Sequence, residues 1–381
     1  MILVVGAGFS GAVIARELAE KGYQIRVIES REHVAGNCYT KKDPETKIME
    51  HIYGPHIFHT DDIEIWKYLN KFTEMMPYIH QVKATADNRI FSLPINLHTI
   101  NQFFNKTMGP IEAKCFIENK TQPIKNSFVD FESKAISLIG VDLYKCFFKH
   151  YTEKQWGISA NQINGKIINR LPLRYNYDDN YYSHKYQGIP KYGYTAIVDN
   201  ILKHENIDIR LGVDFDHNMK DDFSHIFYSG TLDGYYNYEY GRLPYRTLKF
   251  NRFVAKGDFQ GCAVMNYCDK LKPFTRITEF KYFTPWETFE NTIYIEECSK
   301  DCGANDIPYY PISLVKNPPI LSKYKTLALN DIKTTFIGRL GTYRYLDMDV
   351  TIRESLNIAN EFVNKTSNTY FFKKEAVIQN D

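Results

Sequence analysis

The sequence predicts an α/β fold: a Rossmann-like βαβ unit joined to a helical-bundle insertion and an antiparallel β-sheet domain. Three stretches predict it. Residues 1–30, MILVVGAGFSGAVIARELAEKGYQIRVIES, place an apolar strand, a glycine turn, a helix and a second strand in order. Residues 96–154 carry helical spacing. Residues 245–298 alternate with many β-formers. At 381 residues the chain can hold two or three domains.

Residues 2–5 are the first strand, and Gly6-Ala7-Gly8-Phe9-Ser10-Gly11 is the turn. Residues 12–21 form a helix with Ile14, Ala15 and Leu18 apolar, ended by Gly22; residues 24–28 are the next strand. Asp61-Asp62 caps a helix carrying Ile63, Trp66, Leu69 and Phe72 on one side. Residues 83–93 read as strands, and residues 165–190 as a loop rich in Arg, Tyr, Asn and Asp. A helix at 193–204, a strand at 207–211 and a short strand ending at Gly230 follow. A last strand, Thr335-Phe336-Ile337, runs into Gly338-Arg339, and a helix closes at about 348–364. These elements group into a nucleotide-binding domain (1–80, 205–240 and 330–381), a helical domain (95–165) and a sheet domain (81–94, 166–204 and 241–329).

Composition narrows the function. Apolar residues make up 44% and charged residues 24%, ordinary for a globular protein. A net charge of +2 gives no reason to expect nucleic acid. No apolar run reaches the ~18 residues of a membrane span, and the N-terminus reads as a strand and not a signal peptide. Seven cysteines without CxxC pairs suit free thiols and a cytoplasmic protein. Cys298 and Cys302 lack histidine neighbours, so no metal is expected.

The turn is GxGxxG, and Glu29 ends the next strand 18 residues after Gly11. Gly6 permits the tight turn, Gly8 lets backbone approach a pyrophosphate, and Gly11 lets helix and strand pack closely. The helix N-terminus offers free N–H groups to an anion, and Glu29 accepts hydrogen bonds from ribose hydroxyls. Gly36-Asn37 and the late Gly338-Arg339 favour FAD over NAD. The first unit then becomes an FAD-binding Rossmann-like domain assembled from both chain ends. Tyr181 and Lys185 make the YxxxK spacing of short-chain dehydrogenases, but that class uses GxxGxxG, and the segment lacks a long helical pattern.

Beyond the turn, GPHIFHT (54–60) is a dense polar-aromatic turn, and YTEKQWG (151–157) offers two aromatic faces at a helix end. Arg170, Arg174, Arg246 and Arg276 recur among tyrosines, and guanidinium forks match diphosphate oxygens. With SLPINLHTINQFF (92–104), RLPLRYNYDDNYY (170–182), YGRLPYRTL (240–248), GCAVMNYC (261–268), TRITE (275–279), NDIPYYP (305–311) and GRLGTYRYLDMDV (338–350), these segments resemble the bacterial UDP-galactopyranose mutase family over nearly the whole chain.

That resemblance implies an isomerase interconverting UDP-galactopyranose and UDP-galactofuranose with reduced FAD, through a covalent adduct of flavin N5 with the sugar. It implies that Arg170 and Arg276 bind the diphosphate and that His59 lies beside the flavin. Tyr151 matches the uracil-stacking residue, and Trp156 and Asn266 positions near uridine or sugar. Tyr181, Tyr309 and Tyr345 match diphosphate-side tyrosines, Asp347 an acid near phosphates and sugar, and Arg246 a further pocket arginine. Phe9, Ser10, His56 and Met348 join Gly6, Gly8, Gly11, Glu29, Gly36, Asn37, Gly338 and Arg339 as FAD contacts. A mobile lid is implied near 164–178. Arg170→Ala is therefore expected to abolish turnover while leaving FAD bound; normal turnover in that variant would overturn the role.

The resemblance also implies an external electron donor, a homodimer through the helical region, and galactofuranose for a cell-surface polysaccharide such as lipopolysaccharide. His80 stands where relatives have asparagine, which leaves UDP-N-acetylgalactose open as a substrate. The alternatives are a flavin oxidoreductase of the amine-oxidase type and a flavin-bearing binding protein.

Overall fold

A computed structural model gives the fold and describes residues 1–121, 130–170, 172–312, 314–316 and 318–364. A five-stranded parallel sheet runs in the order Ile207–Leu211, Ile25–Glu29, Ile2–Val5, His225–Tyr228 and Thr334–Phe336. Val4 lies opposite Val27 on one side and Phe227 on the other. Strands buried on both faces read as continuous apolar runs, which is why ILVV carries no alternation. On one face, Ile14 and Leu18 of the first helix pack with Ile197 and Ile201 of the Gly193–Leu202 helix and Ile352 of the Met348–Val363 helix. On the other face, Leu3, Ile28 and Ile226 meet Leu321 and Tyr324 of the Pro319–Asn330 helix.

Two helices therefore depart from the sequence grouping. Gly193–Leu202 and Pro319–Asn330 were expected with the sheet domain, yet both cover the parallel sheet. Their apolar stripes fit either sheet, and only tertiary packing decides. The Ile63–Asn70 helix starts on Asp62, whose carboxylate accepts from Glu64 N and Ile65 N. Its buried face is Ile65, Tyr68 and Leu69, while Ile63 is exposed.

The second sheet has seven strands, in the order Tyr310–Pro311, Tyr245–Lys256, Asn291–Asp301, Arg276–Glu279, Val264–Tyr267, Val82–Ala86 and Arg89–Leu93. All its pairings are antiparallel except that of Val264–Tyr267 with Val82–Ala86. The helical insertion shares one core with this sheet. Phe91 meets Phe147 edge to face at 5.0 Å, and Ile117, Phe131 and Leu143 join Val82, Val264 and Ile293. Gly140 (φ 77°) kinks the insertion, and a π-helical turn, Tyr144–Lys149, feeds the His150–Trp156 helix.

Glu279 braces this sheet. Its carboxylate is fully buried and accepts from Phe259 N (2.9 Å), Gln260 N (2.9 Å), Gly261 N (3.3 Å) and Thr292 Oγ (2.8 Å). Glu279→Ala strips the acceptor from all four donors. We expect a loss of about 3 kcal/mol or more in urea unfolding; a loss below about 1 kcal/mol would contradict this account.

Candidate active site

Two cavities meet where the parallel sheet faces the second sheet. The first, about 540 Å³, opens at the carboxyl ends of the parallel strands, the usual ligand crevice of such sheets. Gly6, Gly8, Phe9, Ser10, Glu29, Gly36, Asn37, His56, Gly338, Arg339 and Met348 line it, so the sequence brings these predicted cofactor residues together.

The glycines act by different means. Gly6 holds φ 101°, and a Cβ there would overlap the Ser229 hydroxyl. A Cβ on Gly11 would overlap the Gly6 carbonyl oxygen, so Gly11 packs the helix onto the turn and does not line the cavity. A Cβ on Gly8 would meet only the Cα of Gly36, at 3.8 Å, which leaves open space above the backbone. The Phe9–Ala19 helix starts at Gly8 with no side-chain cap, so its first N–H groups remain available to an anion. Gly338 (φ 69°) lies against Ser10, which joins the two ends of the chain at the rim. Glu29 uses Oε2 to accept from Ala7 N (2.9 Å) and Oε1 to accept from Arg31 N (3.1 Å), fixing the turn while it faces the cavity.

The second cavity, about 290 Å³, is lined by His59, Tyr151, Trp156, Tyr181, Arg276, Tyr309, Tyr345 and Asp347 among others. Asn37, His56, Tyr309, Arg339 and Met348 line both cavities, so the two open into each other. The Arg276 guanidinium uses Nε and Nη2 on one oxygen of Glu297, both at 2.9 Å. Glu297 is fully buried, and Nη1 of Arg276 has no hydrogen bond among the described residues. Arg339 donates to Leu346 O (2.6 Å) and lies over the Tyr345 ring at 4.9 Å. His59 stacks on Tyr182 (3.7 Å) and on His184 (4.7 Å).

YTEKQWG is a structural clamp as well as a wall. Tyr151 and Trp156 face the cavity, and burial raises the Tyr151 hydroxyl well above its ordinary pKa. Lys154 donates to the carbonyls of Tyr267 (2.8 Å), Lys272 (3.2 Å) and Phe274 (3.0 Å), tying the helix to the sheet. Gly157 ends the helix at φ 70°, and the Arg246 guanidinium occupies the space a Cβ would need. Arg246 was expected in the pocket. The structure instead places it behind the wall: it is 2% exposed, it donates to Gln155 O (3.2 Å) and Ser299 Oγ (3.0 Å), and it pairs with Asp301. Asn266 lies opposite Arg276 on the neighbouring strand, also outside the lining. The Arg170 side chain and Leu171, within the expected lid, lie outside the described residues; Gly165–Arg170 is a 3-10 turn.

Sequence reasoning passed over Arg31, Tyr53, Gln155, Tyr182 and Tyr310, which line these cavities. A signal existed for Gln155, Tyr182 and Tyr310, since each adjoins a chosen residue in YTEKQWG, RLPLRYNYDDNYY or NDIPYYP. His80 is buried behind the lining, with its ring near Tyr181 (5.5 Å) and Tyr182 (6.1 Å). Among the described residues no group of His, Cys, Asp and Glu is placed to hold a metal, and no helix is long and apolar enough to cross a membrane.

Among the described residues burial drives four histidines toward the neutral form, His225 of the parallel sheet to about 4. His51 and His80 are pushed down to about 3, and His56 to about 4, with nearby histidines or arginines adding to burial. His51 Nδ1 accepts from His56 N (3.0 Å), a bond that protonation there would break. Unfolded histidines protonate near pH 6.5, so below that value the unfolded state binds more protons. Stability is therefore fully present above about pH 6.5 and falls as pH drops toward 4. Thermal melts across this window are expected to show the decline, and His80→Asn to make it shallower. An unchanged slope in that variant would contradict the argument.

A glycine turn at the switch point of a parallel sheet, opening into an arginine- and tyrosine-lined cleft, defines a dinucleotide-binding enzyme with an adjoining substrate site. The comparisons give the family. The profile of UDP-galactopyranose mutase matches residues 146–345, and that of an NAD(P)-binding Rossmann-like domain matches residues 4–72. A Klebsiella pneumoniae protein named "Probable UDP-galactopyranose mutase" is 54% identical over 96% of this chain and 96% of its own length. An Escherichia coli protein named "dTDP-fucopyranose mutase" is 46% identical over 95% of this chain and 98% of its own. The crystal structure of a reduced UDP-galactopyranose mutase shares the fold, with a TM-score of 0.75 at 13% identity over 98% of both chains. The chain belongs to the UDP-galactopyranose mutase family and is an isomerase.

Proposed function

We propose that this chain interconverts UDP-galactopyranose and UDP-galactofuranose, with reduced FAD in the first cavity and the UDP-sugar in the second. The observation that carries the reading is the junction: five residues, Asn37, His56, Tyr309, Arg339 and Met348, line both cavities. The first cavity fits a dinucleotide diphosphate. Gly8 presents bare backbone, the helix behind it has no side-chain cap, and the buried Nη1 of Arg31 has no hydrogen-bond partner among the described residues. Gly6, Gly8, Phe9, Ser10, Glu29, Gly36, Gly338 and Arg339 would hold FAD there. When bound and reduced, FAD supplies the nucleophile, its N5, for exchange at the anomeric carbon.

The chain's own residues bind and orient. Arg276, fixed by Glu297, offers Nη1 to the diphosphate as charge grows on the leaving UDP. Arg170 adds a second guanidinium from the lid. Tyr181, Tyr309 and Tyr345 supply hydroxyls on the diphosphate side, and Tyr151 and Trp156 wall the nucleoside. His59, held against the rings of Tyr182 and His184, lies beside the sugar, and Asp347 supplies a carboxylate near it. The family resemblance supports the companions of this reading: an external electron donor, a homodimer, a cytoplasmic location, and galactofuranose for cell-surface polysaccharide.

Incubation with UDP-galactofuranose, with and without dithionite, followed by chromatography tests it. Conversion only under reduction is expected. Oxidant-dependent loss of substrate would instead indicate an oxidoreductase, and no conversion of any nucleotide sugar a binding protein. The 46% identical dTDP-fucopyranose mutase favours a second reading, a deoxysugar on dTDP. Running dTDP-fucofuranose and the UDP-N-acetylgalactose pair alongside ranks the three by kcat/KM.

A further inference from the structure

Residues 174–183 carry two wall residues of the second cavity, Tyr181 and Tyr182, yet they form no helix and only one isolated bridge, Gln81 to Asn180. A stretch without a ladder must satisfy its backbone by other means. Here one side chain folds back into the loop it begins. Arg174 is 9% exposed. Its Nη1 donates to the carbonyls of Asp178 (3.4 Å) and Asn180, its Nη2 donates to Ser183 Oγ (2.8 Å), and its Nε lies 3.3 Å from the Asp178 carboxylate.

The grip brackets the two tyrosines. Asn180 directly precedes Tyr181, and Ser183 directly follows Tyr182. The outer side of the loop is held by other residues: Tyr181 N donates to His80 O (2.7 Å), and Gln81 Nε2 (2.7 Å) and Lys83 Nζ (3.3 Å) donate to the Asp179 carboxylate. Arg174 N donates to Ile95 O (3.0 Å), which fixes the post on which the grip depends. The sequence groups Arg174 with the diphosphate arginines, but it lines neither cavity, and its donors are turned onto its own loop. A planar guanidinium can span both ends of such a loop; an ammonium is a single point charge and cannot.

We propose that Arg174 is a positioning residue: its guanidinium holds Tyr181 in the wall of the second cavity, at the place where the Tyr181 hydroxyl meets the substrate diphosphate. This rests on the nucleotide-sugar reading above and deepens it. The sequence alone offers Arg174 as a ligand-binding fork; the bracketing of Tyr181 and Tyr182 makes it the brace of one.

The test is a double-mutant cycle on the flavin-loaded enzyme, turning over UDP-galactofuranose under dithionite. Arg174→Lys is expected to raise KM about tenfold, with kcat within about twofold of wild type and flavin content unchanged. In the Tyr181→Phe background, which lacks the hydroxyl the grip places, the same change should cost less than about twofold. Ser183→Ala removes one end of the grip at an exposed residue and should raise KM about threefold, again only while the Tyr181 hydroxyl is present. That second cycle decides the matter if the lysine variant does not fold. A KM loss of equal size with and without the Tyr181 hydroxyl, or no KM loss, overturns the inference and leaves the mutase reading in place. A fall in melting temperature and flavin content with KM unchanged does the same, since it marks a brace for the fold alone. A wild type that converts no nucleotide sugar overturns the mutase reading, and the inference with it.

Discussion

Arg276→Ala is expected to lower turnover of the UDP-sugar by about 100- to 1000-fold, the scale for removing one preorganised donor from a developing oxyanion. The flavin should remain bound, since Arg276 lines the second cavity and not the first. The same change also strands Glu297. That carboxylate is fully buried and pairs with Arg276, and an unpaired buried charge costs about 3–5 kcal/mol. The single variant thus mixes a chemical loss with a folding loss. Arg276→Ala combined with Glu297→Gln separates them, because it removes the stranded charge. Melting temperature should recover in the double variant and turnover should not. Steady-state rates within about tenfold of wild type in the double variant would remove Arg276 from the diphosphate site.

Gly8→Ala and Gly11→Ala should fail in opposite ways. A Cβ on Gly8 meets only a distant Cα, so the fold should keep its melting temperature while flavin content after purification drops toward zero. The new methyl occupies the space the diphosphate needs. A Cβ on Gly11 collides with the Gly6 carbonyl, so turn and helix must separate. There the loss of stability should exceed about 3 kcal/mol, with flavin lost as a consequence. Gly22→Ala is a useful control: φ is 86° but no atom lies within 4 Å, so only the backbone cost of about 1 kcal/mol applies. Full flavin content in Gly8→Ala would move the dinucleotide away from the glycine turn.

These contrasts show what the sequence made legible. The βαβ unit was readable because glycine sterics, strand burial and helix punctuation are local causes. The Ile207–Leu211 strand and the Asp62 cap emerged where expected for the same reason. Placement was not readable. The Gly193–Leu202 helix has an apolar stripe that fits either sheet, and its partner is chosen by contacts distant in sequence. Arg246 sits among tyrosines just as Arg276 does. Nothing local reveals that one faces the cleft and the other fills the space beside Gly157. The resemblance located most of the cleft wall, but Arg31 and Tyr53, which line the cavities, lie outside the segments that carry it.

The meeting of Gly338 with Ser10 has a consequence for synthesis. The first strand and turn are translated more than three hundred residues before the rim they need. Through those residues a nascent chain carries its dinucleotide fingerprint without a complete place to hold the dinucleotide. On the proposed reading, cofactor capture waits until Thr334–Phe336 has joined the sheet edge. Loading with the proposed flavin would thus report that two segments far apart in sequence have met.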